Sequence, residues 1–339
     1  MWQGAAVVAP PVNTLAPAIS GTPPYYVGSA INGVAGTYDQ SVTLSYAYEL
    51  SVDGGPYTAI PLATLINWIV ENKYQYGNLR LAETALGIGG STTTYSNVIA
   101  LFDIRAVGGN LVSWKDADDD RTIFATGSSI TQFNDRINTA YNVSQSNGAF
   151  QPVTGNTYTG PGGIARNVVR STLDMLWNTN PFIYALTDKT IYYVFKGPAQ
   201  SGERAFYCER STGTTAQNMQ ISCNSGTGLN DVRIFFRNNA NASFLNVVDT
   251  SNWLDNTRRL MTQLYTTTTY ENKIDGVTTM SGAYVKSGSM TLNSHSLLGM
   301  RTTTALAGPD GDFCEMLVFD TIHNSTQQAL VKGMIDAKW

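Results

Sequence analysis

The stretch VTLSYAYEL, Val42 to Leu50, alternates apolar or aromatic residues with small or polar ones through its whole length. A period of two puts Val42, Leu44, Tyr46, Tyr48 and Leu50 on one face of a pleated strand and Thr43, Ser45, Ala47 and Glu49 on the other. That is the pattern of an antiparallel strand with one buried face. The VDGGPY that follows supplies Asp53-Gly54-Gly55, tolerant of positive φ, for a hairpin turn. In NLRLAETALGIGGSTTTYSNVI, Leu79 and Leu81 share a face, and Gly87, Gly89 and Gly90 mark a turn between two strands. Further on, TIYYVFK (Thr190 to Lys196), DVRIFF (Asp231 to Phe236), RRLMTQLYTTTT (Arg258 to Thr269) and EMLVF (Glu315 to Phe319) read as strands, with Asp275-Gly276 at a hairpin tip. Charged residues make up 14% of a chain rich in Gly, Thr, Ser, Asn and Tyr, which suits short strands and tight turns better than helices. The expected fold class is all-β, two packed and twisted sheets in the later part of the chain.

Two segments break the alternation. Leu62, Leu65, Ile66, Ile69 and Val70 recur at helical spacing and predict a short helix between strands. At the carboxy terminus, Ser325 with Gln328 three residues on reads as a capping box. Leu330, Met334 and Ala337 then share a helical face that Val331 and Ile335 adjoin, so a short helix should dock against the sheets. Glu315 interrupts an apolar strand on the side of Phe313, Leu317 and Phe319; if buried, it needs Arg, Lys or backbone donors as partners.

Composition excludes several function classes. The net charge of -4, without a dense Lys/Arg cluster, argues against nucleic acid. No apolar run approaches the length of a bilayer span, and the amino terminus MWQGAAVVAPP has neither a signal peptide nor an anchor pattern, so no membrane insertion is expected. Cys208, Cys223 and Cys314 lack C-x-x-C spacing; they read as buried thiols of a reducing cytoplasm, with Cys208 and Cys223 as possible neighbours across a hairpin. His295 and His323 are the whole histidine complement, too few for histidine-based metal or triad chemistry. GPGG at Gly160 to Gly163 lacks the Gly-Lys-Ser/Thr of a phosphate cradle and reads as a loop.

Two resemblances organise the chain. VNTLAPAISGT, SYAYELSVDGG and LRLAETALGIGGSTTTYSNVI, in that order, look like the immunoglobulin-like modules of bacteriophage tail and fibre proteins and bacterial surface proteins. The apolar segment 62 to 70 departs from the short polar hairpin usual there. LVSWKDADDD, SSITQFNDRIN, TIYYVFKG and GDFCEMLVFDTIHNSTQQALVKGMIDAKW occur in an order similar to laminin-G-like, concanavalin-A-like jelly-roll domains. The Pro-rich, charge-poor first residues read as an extended docking arm over 1–10, and the resemblances imply an Ig-like β-sandwich over 11–102 and a jelly-roll sandwich with a short C-terminal helix over 103–339.

Chemistry-bearing residues are sparse. DADDD, with Asp116, Asp118 and Asp120, has the oxygen ligands of a hard cation such as Ca²⁺, without the glycine and closing glutamate of an EF-hand loop. No other cofactor is indicated. No pair of carboxylates stands out for glycosidase or lyase work, so a non-enzymatic protein is expected. The 18 Tyr and 6 Trp offer aromatic platforms for sugars beside Asn, Thr and Asp side chains. Trp114, Trp177 and Trp253 are read as interior anchors. The resemblances imply a bacteriophage virion surface protein, made in the host cytoplasm, that serves as tail fibre, collar or head appendage and adheres to host glycans or decorates the particle. Its expected partners are other virion proteins and itself, as a homo-oligomer, with a trimer preferred. The alternatives are a polysaccharide depolymerase on the same scaffold and a purely structural capsid or neck decoration.

Overall fold

The computed structural model describes residues 8–339 except 75, 173, 184, 200–203, 211–216, 224–230, 238–242, 251–252, 286–291, 293 and 299–307. Most of the expected docking arm, residues 1–7, lies outside the described residues. The chain divides into two compact units, Met1–Ile104 with Lys338 and Arg105–Ala337 with Trp339. It is an all-β protein with one α-helix among the described residues, Ser325–Lys338.

In the first unit, strand Thr43–Ser51 pairs antiparallel with Gly77–Gly87, from Thr43 opposite Leu86 to Ser51 opposite Asn78. Tyr48 and Leu50 are buried and Tyr46 and Leu44 half-buried, while Thr43 and Ser45 are exposed, as the alternation predicts. Asp53 (φ 51°) and Gly54 (φ 75°) turn the chain, closed by Gly55 N–H donating to the Val52 carbonyl at 2.9 Å. The core gathers Ile31, Tyr48, Leu79 and Leu81 around Trp68 and Val70.

The helix expected over 62–70 does not form. Leu62 adopts φ 64° and is 94% exposed, Leu65 is 73% exposed, and Trp68–Ile69 instead pairs with Ala30 and Ile31 as a strand. Burying Trp68 and Val70 by alternation, with Val70 N–H bonded to the Ser29 carbonyl, outweighs the helical spacing of the leucines. A leucine in the left-handed region is strained, and its side chain is too exposed to recover that cost by packing. Leu62→Asn is therefore expected to stabilise this unit by about 0.5–1 kcal/mol, because asparagine tolerates positive φ. A thermal melt that falls with this substitution would refute that account.

The second unit is a jelly-roll sandwich. One layer contains Leu111–Asp116, Gly311–Phe319, Lys189–Lys196, Arg258–Tyr265, Thr269–Ile274 and Val277–Ala283, hydrogen-bonded in that order. The other runs Ile123–Thr126, Ser129–Phe133, Val143–Ser144, Leu176–Asn178, Ser294–Leu297, Arg204–Arg210, Gln217–Cys223, Val232–Arg237 and Ser243–Asp249. Val153–Thr159 and Ala165–Ser171 bridge the layers, pairing with Ser129 on one side and with Gly311–Phe313 on the other.

Aromatic rings fill the space between layers: Phe206 meets Trp253 at 4.5 Å, Phe195 at 4.9 Å and Tyr193 at 5.7 Å, and Phe313 meets Tyr193 at 5.4 Å and Phe133 at 5.8 Å. Asp275 (φ 52°) and Gly276 (φ 89°) form the two-residue tip expected between Ile274 and Val277. The stretch Arg258 to Thr269 breaks after Tyr265, where Thr266 to Thr268 turn into the next strand.

Strand Lys189–Lys196 is buried on both faces because the helix covers the outer one. The capping box sits one residue earlier than expected: Asn324 Oδ1 accepts from Gln327 N–H at 3.0 Å and Gln327 Oε1 from Asn324 N–H at 2.9 Å. Val331, Met334 and Ile335 make the buried stripe, and Leu330 is only half-buried. The helix is held to its sheet by Arg258–Asp336 at 3.0 Å and Lys273–Gln328 at 2.8 Å. All three cysteines are free and buried. Cys208 and Cys223 lie on adjacent strands but out of register, Cys208 opposite Gln220 and Cys223 opposite Arg204, which is too far along the ladder for a disulfide.

Candidate functional site

Glu315, fully buried, faces the helix and not solvent. Two indoles, which the expectation of Arg, Lys or backbone donors did not include, bind it: Trp114 Nε1–H donates to Oε1 at 2.6 Å and Trp339 Nε1–H to Oε2 at 2.7 Å. The carboxylate thereby ties the first strand of this unit and the last residue of the chain to the middle of the closing strand. It is structural.

The acidic cluster is met by arginines. Arg136 lies over the Trp114 ring at 3.9 Å and reaches Asp116 at 2.7 Å and Asp119 at 3.2 Å. Asp119 also pairs with Arg121 at 2.7 Å, and Asp118 with Arg166 at 3.4 Å. Asp120 is exposed and opens the short 3-10 turn Asp120–Thr122, capped by Asp119. The structure thus gathers Asp116 and Asp119 around one guanidinium, a pairing the sequence reading missed. Among the described residues no group of three or more His, Cys, Asp or Glu is placed to hold a metal ion, and the set Asp116, Asp118 and Asp120 forms none.

Beside this network, Asp135 is an anchor of the neighbouring loop. It accepts from Ser113 Oγ, from Lys115 Nζ at 2.8 Å, and from the backbone N–H groups of Ile137 at 2.9 Å and Asn138 at 3.0 Å. Burial pushes the Lys115 pKa down, and Asp135 opposes that shift. Lys115 also donates to the Tyr141 carbonyl at 2.6 Å.

The feature with the chemistry of recognition is a row of side chains across the second layer. Residues directly opposite in antiparallel strands share a face. Phe124, Gln132, Ser144, Trp177, Ser296, Cys208, Gln220, Phe235 and Asn246 are opposite one another in sequence through nine strands. Phe133, next to Gln132, packs inward on Phe313, so the row lies on the outer face. Its centre, from Ser296 to Phe235, is buried, and its Phe124 end is open. There Phe124 is 49% exposed, Ser144 is exposed, and Gln132 and Trp177 are half-buried. Three strand spacings separate Phe124 from Trp177, about 14 Å.

The frame around Trp177 is held from behind. Asn178 Nδ2–H donates to the Ala140 carbonyl at 3.0 Å and to that of Asn142, and Asn180 Nδ2–H to the Ala140 carbonyl at 3.0 Å. Glu209 Oε1 accepts from Phe182 N–H and Ile183 N–H, both at 2.7 Å, and from Tyr207 O–H at 2.8 Å. Tyr141 stacks on Phe182 at 4.0 Å. Such support preorganises a surface for binding. Trp114 and Trp253 are interior as expected, whereas Trp177 is a half-buried residue of the outer row. Its flanks, Leu176 and Asn178, carry opposite polarity, so local alternation leaves its side undecided.

No protein-family model matches the chain. No curated protein matches it either. Among solved structures, the botulinum neurotoxin serotype D binding domain is similar at 8% identity and TM-score 0.42, covering 66% of this chain and 51% of that one. The CBM40 domain of the Ruminococcus gnavus IT-sialidase, bound to α2,3-sialyllactose, is similar at 12% identity and TM-score 0.37, covering 43% and 83%. The Trypanosoma rangeli sialidase is similar at 10% identity and TM-score 0.43, covering 91% of this chain and 46% of that one. The chain spans about half the length of the neurotoxin domain and of the whole sialidase. The similar structures thus include receptor-binding and carbohydrate-binding domains. The expectation of a non-enzymatic protein is corrected by the third: a structure similar over most of the chain is an enzyme, and that assignment is withdrawn.

Proposed function

We propose that the second unit is a glycan-binding jelly roll that engages host-cell sugars through the open end of the outer row. The observation that carries this reading is the register-matched alternation of rings and hydrogen-bonding side chains, Phe124, Gln132, Ser144 and Trp177, on one rigid sheet. Rings give sugar C–H faces an apolar platform, and amide and hydroxyl groups meet the sugar hydroxyls. The row has no charged side chain, so neutral saccharides fit it best. A virion-surface location, with the first unit as an Ig-like spacer, belongs to the same reading and rests on the motif orders quoted above. The test is a glycan array on the full chain followed by titration of the hits. Trp177→Ala is expected to weaken binding at least tenfold, about 1.4 kcal/mol or more. Phe124→Ala should weaken it in the same direction. An array without hits, or hits indifferent to both substitutions, would remove the proposal.

A further inference from the structure

The chain has two Asn-Gly pairs, Asn32-Gly33 and Asn147-Gly148. In such a pair the second residue has no Cβ to shield its backbone nitrogen or to restrict rotation toward the asparagine side chain. The fold treats the two pairs differently. Asn32-Gly33 lies inside strand Ala30–Val34, with Asn32 opposite Ser20 and Gly33 opposite Ile19, and Gly33 N–H donates to Asn67 Oδ1 at 3.1 Å. Asn147-Gly148 is exposed and opens the single 3-10 turn Gly148–Phe150. As the first residue of that turn, Gly148 has no acceptor for its N–H among the described residues. Asn147 Oδ1 accepts from Ala149 N–H at 3.1 Å, which polarises the side-chain carbonyl. The turn does not require a glycine: Gly148 is not left-handed, and a Cβ on it would meet only Gln151 Oε1, at 3.9 Å.

We propose that Asn147 is a site of spontaneous covalent modification, converting to aspartate and isoaspartate in the folded protein while Asn32 is spared. Gly148 N gives its proton to solvent base and forms a bond to Asn147 Cγ. The Cγ–Nδ2 bond then breaks, and Nδ2 takes up a proton and leaves as ammonia. Water opens the resulting cyclic imide at either carbonyl, giving the two products, and no atom changes oxidation state. To reach Cγ the backbone must rotate about Asn147 ψ from 110°. Only the hydrogen bond from Ala149 and that from Phe150 N–H to the Asn147 carbonyl at 3.0 Å resist this, both at the surface where local opening is frequent. The same rotation at Asn32 would break the ladder to Ser20 and the bond to Asn67. The product adds a negative charge to a loop whose Phe150 carbonyl accepts from Met175 N–H at 3.1 Å. This chemistry is independent of the glycan reading.

Peptide mapping by mass spectrometry tests the inference on the full chain, aged in mildly alkaline buffer beside a sample unfolded in urea. Unfolded, both pairs should convert at similar rates, since they share the same dipeptide. Folded, the peptide carrying Asn147 should gain the mass of an NH₂ replaced by OH and split into two chromatographic products, at least tenfold faster than the peptide carrying Asn32. Gly148→Ala should slow conversion at Asn147 at least tenfold while leaving the melting temperature unchanged. An Asn147 left intact in the folded chain over the time the unfolded chain converts, an Asn32 that keeps pace with it, or a Gly148→Ala variant that converts as fast as wild type would each overturn the proposal.

Discussion

Glu315→Gln should destabilise the protein by about 1–3 kcal/mol, and Glu315→Ala by about 3–5 kcal/mol, in equilibrium denaturation followed by tryptophan fluorescence. The two indoles are donors only, and each aims its N–H at a different carboxylate oxygen. A carboxylate offers two acceptors. Glutamine offers one and turns an NH₂ toward the second indole, donor against donor, so one buried N–H is left unpaired. Alanine strands both indoles and opens a cavity beneath the helix. A glutamine variant as stable as wild type would mean that the two tryptophans do not depend on this acid.

Acid should weaken the fold between about pH 6.5 and pH 4, chiefly through His295. Its Nδ1–H donates to the Asn180 carbonyl at 2.8 Å, so the neutral ring carries its lone pair at Nε2, which is buried without a partner among the described residues. Burial holds its pKa down to about 4; Lys115 pushes it the same way, and the Asn180 carbonyl and Asp135 oppose. The unfolded chain takes up a proton near 6.5 and the folded chain only near 4, so stability is full above pH 6.5 and falls as the pH drops through that window. The gap amounts to roughly 3 kcal/mol at its acid end. His323 is shifted the same way by burial, its Nε2–H donating to Gly108 and its Nδ1 accepting from Tyr192 O–H. Urea unfolding of wild type and His295→Gln at pH 7.5 and 4.5 checks this. The variant should lose most of the difference between the two pH values, and an undiminished difference would exclude His295 as its source.

Local patterning made much of the fold legible. Alternation through Thr43–Ser51, the Asp53-Gly54 and Asp275-Gly276 turns and the closing helix each depend on residues within a few positions of one another, where side-chain period and φ tolerance decide the outcome. The candidate site was not legible in that way. Phe124, Gln132, Ser144 and Trp177 come together only through the pairing of strands that lie up to about fifty residues apart in the chain, and a shift of one residue in any ladder would turn a member inward. The same holds for Glu315, whose indole partners stand 201 and 24 residues away. Leu62 to Val70 shows the converse, a helical spacing overruled when Trp68 and Val70 find a strand partner and a core. Sequence by itself determined that this chain forms strands, where several of them turn, and where its helix lies. Tertiary structure alone decided which side chains share a surface, because register and burial are set by contacts between distant segments that no local period encodes.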